Sequence, residues 1–151
     1  MNQDKLLLLR TELDNLDKAA TYLAASLGRS GKLLGRADLG PDELERLESM
    51  ASRFARLSDL LTQRVMRLVD DLELTPAGSL LDRIQRAEKR GWVERAEDLV
   101  RIRELRNLVA HEYAAERMAE IYAGIAGLTP ALLAVVPKVR TYAEDLTRRF
   151  D

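Results

Sequence analysis

The segment Arg106-Asn107-Leu108-Val109-Ala110-His111-Glu112-Tyr113 gathers a guanidinium, a carboxamide, an imidazole and a phenol within eight residues, and His111 is the only histidine in the chain. Imidazole is the one side chain whose unperturbed titration falls near neutral pH, so it can take or give a proton there. Guanidinium can hold a phosphate in bidentate fashion and balance the charge that builds up when the phosphorus is attacked. Arg and His together suit cleavage of an RNA phosphodiester. The 2′-hydroxyl is the built-in nucleophile, a neutral imidazole can remove its proton, and an imidazolium can protonate the leaving oxygen. That chemistry needs no metal.

The helical period decides how these groups are presented. In a helix running from about Glu94 to Tyr113, Leu99, Ile102, Leu105, Leu108 and Val109 fall on one side and face the core. Arg103, Asn107 and His111 recur at four-residue spacing on roughly the opposite side, and Arg106 and Tyr113 flank the boundary. His111 is thus off the apolar stripe, which counts against a satisfied core histidine and leaves a solvated surface histidine as the bland alternative. Arg106 and His111 are five residues apart and diverge by well over a right angle, so one copy focuses them poorly on one phosphate. Two copies related by a two-fold axis present the same patch twice and bring both pairs into one cleft.

The elements around this helix are all helical. Leu6, Leu9, Leu13, Leu16, Ala20, Leu23 and Leu27 form a stripe that predicts a first helix stopped by Gly28 and Gly31. Pro41, followed by Asp42 and Glu43, opens a long second helix carrying Leu44, Leu47, Ala51, Phe54, Leu61, Val65, Leu68 and Leu72, a spacing broken only by Ser58. Thr75-Pro76 reads as the cap of a short helix that ends at Lys89-Arg90-Gly91, with Trp92 as a buried anchor at the bend. A fifth region covers Met118 to Ala126. Thr129-Pro130 restarts a last helix, which Pro137 kinks. No segment alternates like a strand. The fold class expected is all-α, an up-and-down bundle built on two long antiparallel helices, as one domain over 1–151.

Composition sets bounds. Over 151 residues, 24 basic and 25 acidic side chains leave a net charge of −1, so no global cationic field advertises nucleic-acid binding, and an RNA contact must be local. There is no cysteine, which excludes disulfides, thiol catalysis and thiolate metal sites. His111-Glu112 begins like a zinc-protease helix, but no second histidine follows, so no metal and no cofactor is expected. No apolar run is read as reaching membrane-crossing length and no signal peptide is seen, so the expected setting is the cytoplasm of a bacterium or archaeon. The basic residues from Arg83 to Arg103 alternate with acidic ones and read as a solvated face. Gly28, Gly31, Gly35 and Gly40 lack the spacing and the preceding strand of a phosphate loop.

Arg106-x4-His111-x-Tyr113, with Asn107 directly after the arginine, resembles the R-x4-H-x-Y signature of HEPN domains. It is particularly similar to that of HepT toxins, which are encoded beside minimal nucleotidyltransferases of the MNT type. A short helix with a basic end, then Gly-Trp, then the helix carrying the signature, also matches that arrangement, and the likeness extends over nearly the whole chain. The resemblance implies a homodimer whose motifs meet at the interface, acting as a metal-independent ribonuclease toxin. Arg106 and His111 would be its catalytic pair and Asn107 a polar helper. It implies a nucleotidyltransferase antitoxin that transfers AMP onto Tyr113, where a bulky anion would block RNA. Other relatives act only as partner subunits of a nucleotidyltransferase, which leaves a non-catalytic reading open, and an inert helical interaction protein is a third.

Overall fold

The computed structural model describes residues 2–76, 78–111 and 115–150, and of residues 115 and 116 the backbone only. Among the described residues every regular element is a helix and there is no strand, as the apolar spacing requires. The long elements are α1 (Asn2–Ser30), α2 (Pro41–Asp59) and α6 (Ala115–Arg149), with α3 (Met66–Leu72), α4 (Leu80–Lys89) and α5 (Ala96–His111) between. A 3-10 turn, Gly31–Leu33, follows α1, and a π-helical segment, Leu60–Val65, joins α2 to α3 without a break.

The stripe on α1 is buried at Leu6, Leu9, Leu13, Leu16 and Leu23, and half-buried at Ala20 and Leu27. It packs on Leu47, Met50, Phe54, Leu57 and Leu61 of the second rod. Side-chain contacts fix the direction. Ser30 bonds to Arg46, Ser26 to Arg53, and Glu12 to Arg64, so position falls along one helix as it rises along the other. The pair is antiparallel, and α6 lies against α1, with Arg140 reaching Asp14 and Asp17.

Several helix ends follow their local sequence. Gly40 precedes Pro41, and the Glu43 carboxylate accepts the Gly40 N–H at 3.0 Å. At the end of α4 the Trp92 N–H donates to the Ala87 carbonyl and the Gly91 N–H to the Glu88 carbonyl. This is a Schellman closure, which needs a left-handed residue, and Gly91 has φ +78°. Trp92 is buried as expected and meets Tyr142 edge-on at 5.2 Å.

Other expectations change. α1 passes through Gly28 and ends at Ser30, because one glycine in a helix costs only about 1 kcal/mol against alanine. Thr75-Pro76 is not the cap of α4. That role belongs to Ser79, whose hydroxyl accepts the Asp82 N–H at 3.1 Å while the Asp82 carboxylate accepts the Ser79 N–H at 2.9 Å. Ser79→Ala should therefore cost about 0.5–2 kcal/mol in thermal unfolding, whereas Thr75→Ala should leave the end of α4 unaffected.

The last two expected helices are one. α6 runs unbroken through Pro130 and Pro137. Each proline withdraws a single N–H, and packing of Ile121, Ile125, Leu132, Val135 and Val139 into the core holds the rod together on both sides. α6 also overturns the expectation that no run reaches membrane-crossing length. Within Arg117–Arg149 one stretch is long and apolar enough by composition, with a mean hydropathy of 1.7 and 39% of it buried in the fold. No charge falls between Glu120 and Lys138, and small residues such as Ala123, Gly127 and Ala134 separate the large ones.

Candidate active site

α5 is placed from both sides. Its N-terminus is closed by Glu88, whose carboxylate accepts the Ala96 N–H at 2.9 Å. Leu99 and Ile102 enter the core, whereas Leu105, Leu108 and Val109 are half-buried against it. Gly124 of α6 lies under Leu105. A Cβ there would sit 3.3 Å from both Leu105 methyl carbons, so α6 approaches α5 closely just behind Arg106.

The opposite wall is the junction of α2 with the π segment. A π turn accommodates one extra residue and shifts the register of the helix beyond it, and such turns are frequent at functional sites. Arg83 of α4, itself buried, steadies this one. Its Nε–H donates to the Thr62 carbonyl at 3.2 Å and its Nη2 to the Gln63 side-chain oxygen at 3.3 Å. Asp59, the last residue of α2, is thereby held facing α5.

Arg106 meets Asp59 as a fork. Its Nε donates to Oδ1 at 2.8 Å and its Nη2 to Oδ2 at 2.9 Å. Arg103, one turn earlier, donates through Nη1 to Asp59 Oδ1 at 2.6 Å and to the Ser58 hydroxyl at 3.0 Å. Two cations therefore share one carboxylate and the cluster keeps a net positive charge. Burial pushes the Asp59 carboxyl up, but the hydrogen bonds from Arg106 and Arg103, joined by their charges, outweigh it and hold the carboxyl below the usual carboxylate range. The hydrogen bond to Asp59 raises Arg106 above its ordinary value, against a smaller opposing effect of burial. A carboxylate depressed by folding contributes stability above its unfolded titration and loses it as pH falls through the folded one. The cluster is accordingly intact across neutral pH and opens only in acid.

Arg103 corrects the expected face. Four-residue spacing puts it with Asn107 and His111 on the outer side, but its side chain is 11% exposed and turned to Asp59. Steps of four residues drift by about 40° each, so Arg103 lies roughly 80° round the axis from His111. Asn107 and His111 are exposed on the last turns of α5, and neither side chain makes a hydrogen bond among the described residues. Arg106 is brought together with Arg103, Asp59 and Ser58, and not with His111, which is about 140° round the helix and roughly 7.5 Å along it. Tyr113 and Glu112 lie outside the described residues.

Asp59 is the site residue that sequence reasoning missed. The signal was Ser58, fully buried and polar, which breaks the apolar stripe of the second helix immediately before Asp59. Within the described part of the motif, Asn107, Ala110 and His111 are exposed. A cavity of about 180 Å³ lies at the far end of α5, lined by Trp92, Val93, Leu99, Ile102, Ala131 and Lys138 among others, and does not reach Arg106. Scanned against protein-family models the chain matches none, and a search of curated proteins finds no match.

Proposed function

We propose that this chain is a HEPN-type, metal-independent endoribonuclease, acting as a homodimer in the cytoplasm and serving as the toxin of a HepT-like toxin–antitoxin pair. The observation that carries the reading is the setting of Arg106. A guanidinium of fixed charge and direction stands half-exposed on α5, on the same helix as an exposed imidazole that lies about 140° round and roughly 7.5 Å along from it and makes no hydrogen bond among the described residues. RNA would lie in the groove formed where two copies of α5 face one another. Neutral His111 takes the 2′-hydroxyl proton, the 2′-oxygen bonds to phosphorus, and the P–O5′ bond breaks as the partner's His111, protonated, gives its proton to the leaving 5′-oxygen. The products are a 2′,3′-cyclic phosphate and a 5′-hydroxyl. Arg106 binds the phosphate and stabilises the charge of the pentacoordinate state, and Asn107 is a polar helper beside the imidazole. Purified protein incubated with RNA in chelator should generate cyclic phosphate ends, and expression of this chain alone should arrest growth.

Tyr113 is the proposed acceptor of AMP from a partner nucleotidyltransferase. Its phenol oxygen attacks the α-phosphorus of ATP and pyrophosphate leaves. With partner and ATP supplied, the wild-type mass should rise by one or more AMP units and Tyr113→Phe should remain unmodified. An equal mass increase in Tyr113→Phe would refute that assignment. One observation favours a second reading, a non-catalytic subunit that serves such a transferase. The Nε edge of Arg106 is already satisfied by Asp59 and would not meet a phosphate directly. Normal growth at good expression of the wild type would support that alternative.

A further inference from the structure

A guanidinium has two edges that can hold an oxyanion in bidentate fashion, one formed by Nε with Nη2 and the other by Nη1 with Nη2. In this chain Asp59 occupies the first edge of Arg106 with bonds of 2.8 and 2.9 Å. Nη1 has no partner among the described residues and is not enclosed. Arg103 holds the same carboxylate from the other side at 2.6 Å, and the buried Ser58 hydroxyl fixes Arg103 in turn. Asp59 is thus pinned by two neighbours and by the π turn after it, and Arg106 has one rotational setting that satisfies both its oxygens.

We propose that Asp59 is a positioning residue for Arg106: it claims the Nε edge and thereby presents the Nη1–Nη2 edge to a phosphodiester. This rests on the ribonuclease reading for its purpose, but not for its geometry. Arg103 contributes the extra positive charge that keeps the cluster cationic after Asp59 is counted, so that an incoming phosphate meets net attraction. Asp59 touches neither phosphate nor reacting atoms. It acts through Arg106 alone, by cutting the rotamer freedom that an unheld arginine would lose on binding.

Two measurements separate this from a structural role. The first needs no variant and no cleavage. Inorganic phosphate is titrated into the wild-type homodimer while the Arg106 side-chain resonances are followed by NMR. The Nη signals should shift with saturation while the Nε–H stays in place and slow to exchange. Movement or rapid exchange of the Nε–H would mean that phosphate displaces Asp59, and would overturn the proposal whether or not RNA is cut. The second is a cycle. Asp59→Asn should fold, lower kcat for RNA about ten- to a hundredfold with a smaller change in KM, and be partly rescued by Asp59→Glu. In an Arg106→Lys background, which has no fork to hold, Asp59→Asn should cost less than threefold. Equal cost in both backgrounds, or an Asp59→Asn protein more active than wild type, would contradict the proposal. A wild type that cuts no RNA but shows the expected phosphate titration would sink the ribonuclease reading and leave the edge assignment standing.

Discussion

Under the proposed ribonuclease mechanism, His111→Ala is expected to lower RNA cleavage about 10²–10⁴-fold, the usual worth of a positioned proton-transfer group. Arg106→Ala should cost at least as much, because it removes both the proposed phosphate contact and the guanidinium that Asp59 holds. The two substitutions differ in their side effects. His111 is exposed and makes no hydrogen bond among the described residues, so its loss should leave the melting temperature unchanged. Arg106 has two bonds to Asp59, and its loss should be felt modestly, since both side chains are partly solvated at 29% and 38% exposure. The double variant should be no worse than the poorer single one, because the pair is proposed to act as a unit. Rates are to be read on a defined RNA in chelator, with the melting temperature measured in parallel. Cleavage that survives His111→Ala at the wild-type rate would remove imidazole from the mechanism.

The largest effect on folding is expected at Asp70. This carboxylate is 1% exposed on α3 and takes Arg86 of α4 through two bonds, at 2.7 and 3.2 Å, and Arg90 at 2.9 Å. Arg90 then bonds Glu73 at 2.9 Å and stacks against both Trp92 and Tyr142, whose hydroxyl also donates to Glu73. The network joins α3, α4 and α6 and fixes the approach to α5. Asp70→Ala takes from Arg86 and Arg90 the carboxylate they share while both stay largely buried, and breaking such a pair typically costs about 3–5 kcal/mol. Arg86 keeps some contact with water, so the lower end of that range applies, and the melting temperature should fall by roughly 6–12 °C. A fall of less than 2 °C would show that the network adds little beyond the surrounding apolar packing.

The bundle was legible in the sequence because apolar burial leaves a periodic trace. The leucines of α1 and of the second rod are spaced by three and four, and these are the residues that pack. The end of α4 was legible too, since a Schellman closure needs a glycine and Gly91 is there. Prolines obscured the continuity of α6. Pro130 and Pro137 carry strong local breaking signals, but tertiary packing on either side outweighs one missing hydrogen bond each. At the α4 start the competing caps Thr75 and Ser79 look alike in sequence, and only Ser79 has an acidic residue three positions on to complete the box.

Only part of the candidate site was legible. Arg106, Asn107 and His111 stand on one helix, and helical spacing predicts what one helix presents. Asp59 comes from another element, 47 residues away, and reaches Arg106 only because a π turn forms at Leu60–Val65. No residue type demands a π turn, so the sequence offered only the misfit of Ser58 in an apolar stripe. Arg103 was misplaced because two four-residue steps drift by roughly 80° from His111, and the neighbour it turns to, Asp59, lies on another element.

The most direct test of the central claim, that guanidinium and imidazole from two copies act in one cleft, is complementation between the two inactive proteins. Arg106→Ala and His111→Ala chains carrying different tags are co-expressed, and the mixed dimer is isolated through both tags. The mixed dimer has one intact Arg106 and one intact His111 on opposite subunits, and with one of the two proton-transfer imidazoles left it should regain part of the wild-type RNA cleavage in chelator, above either parent homodimer. A mixed dimer as inactive as its parents, or wild-type protein that stays monomeric while cutting RNA, would contradict the account.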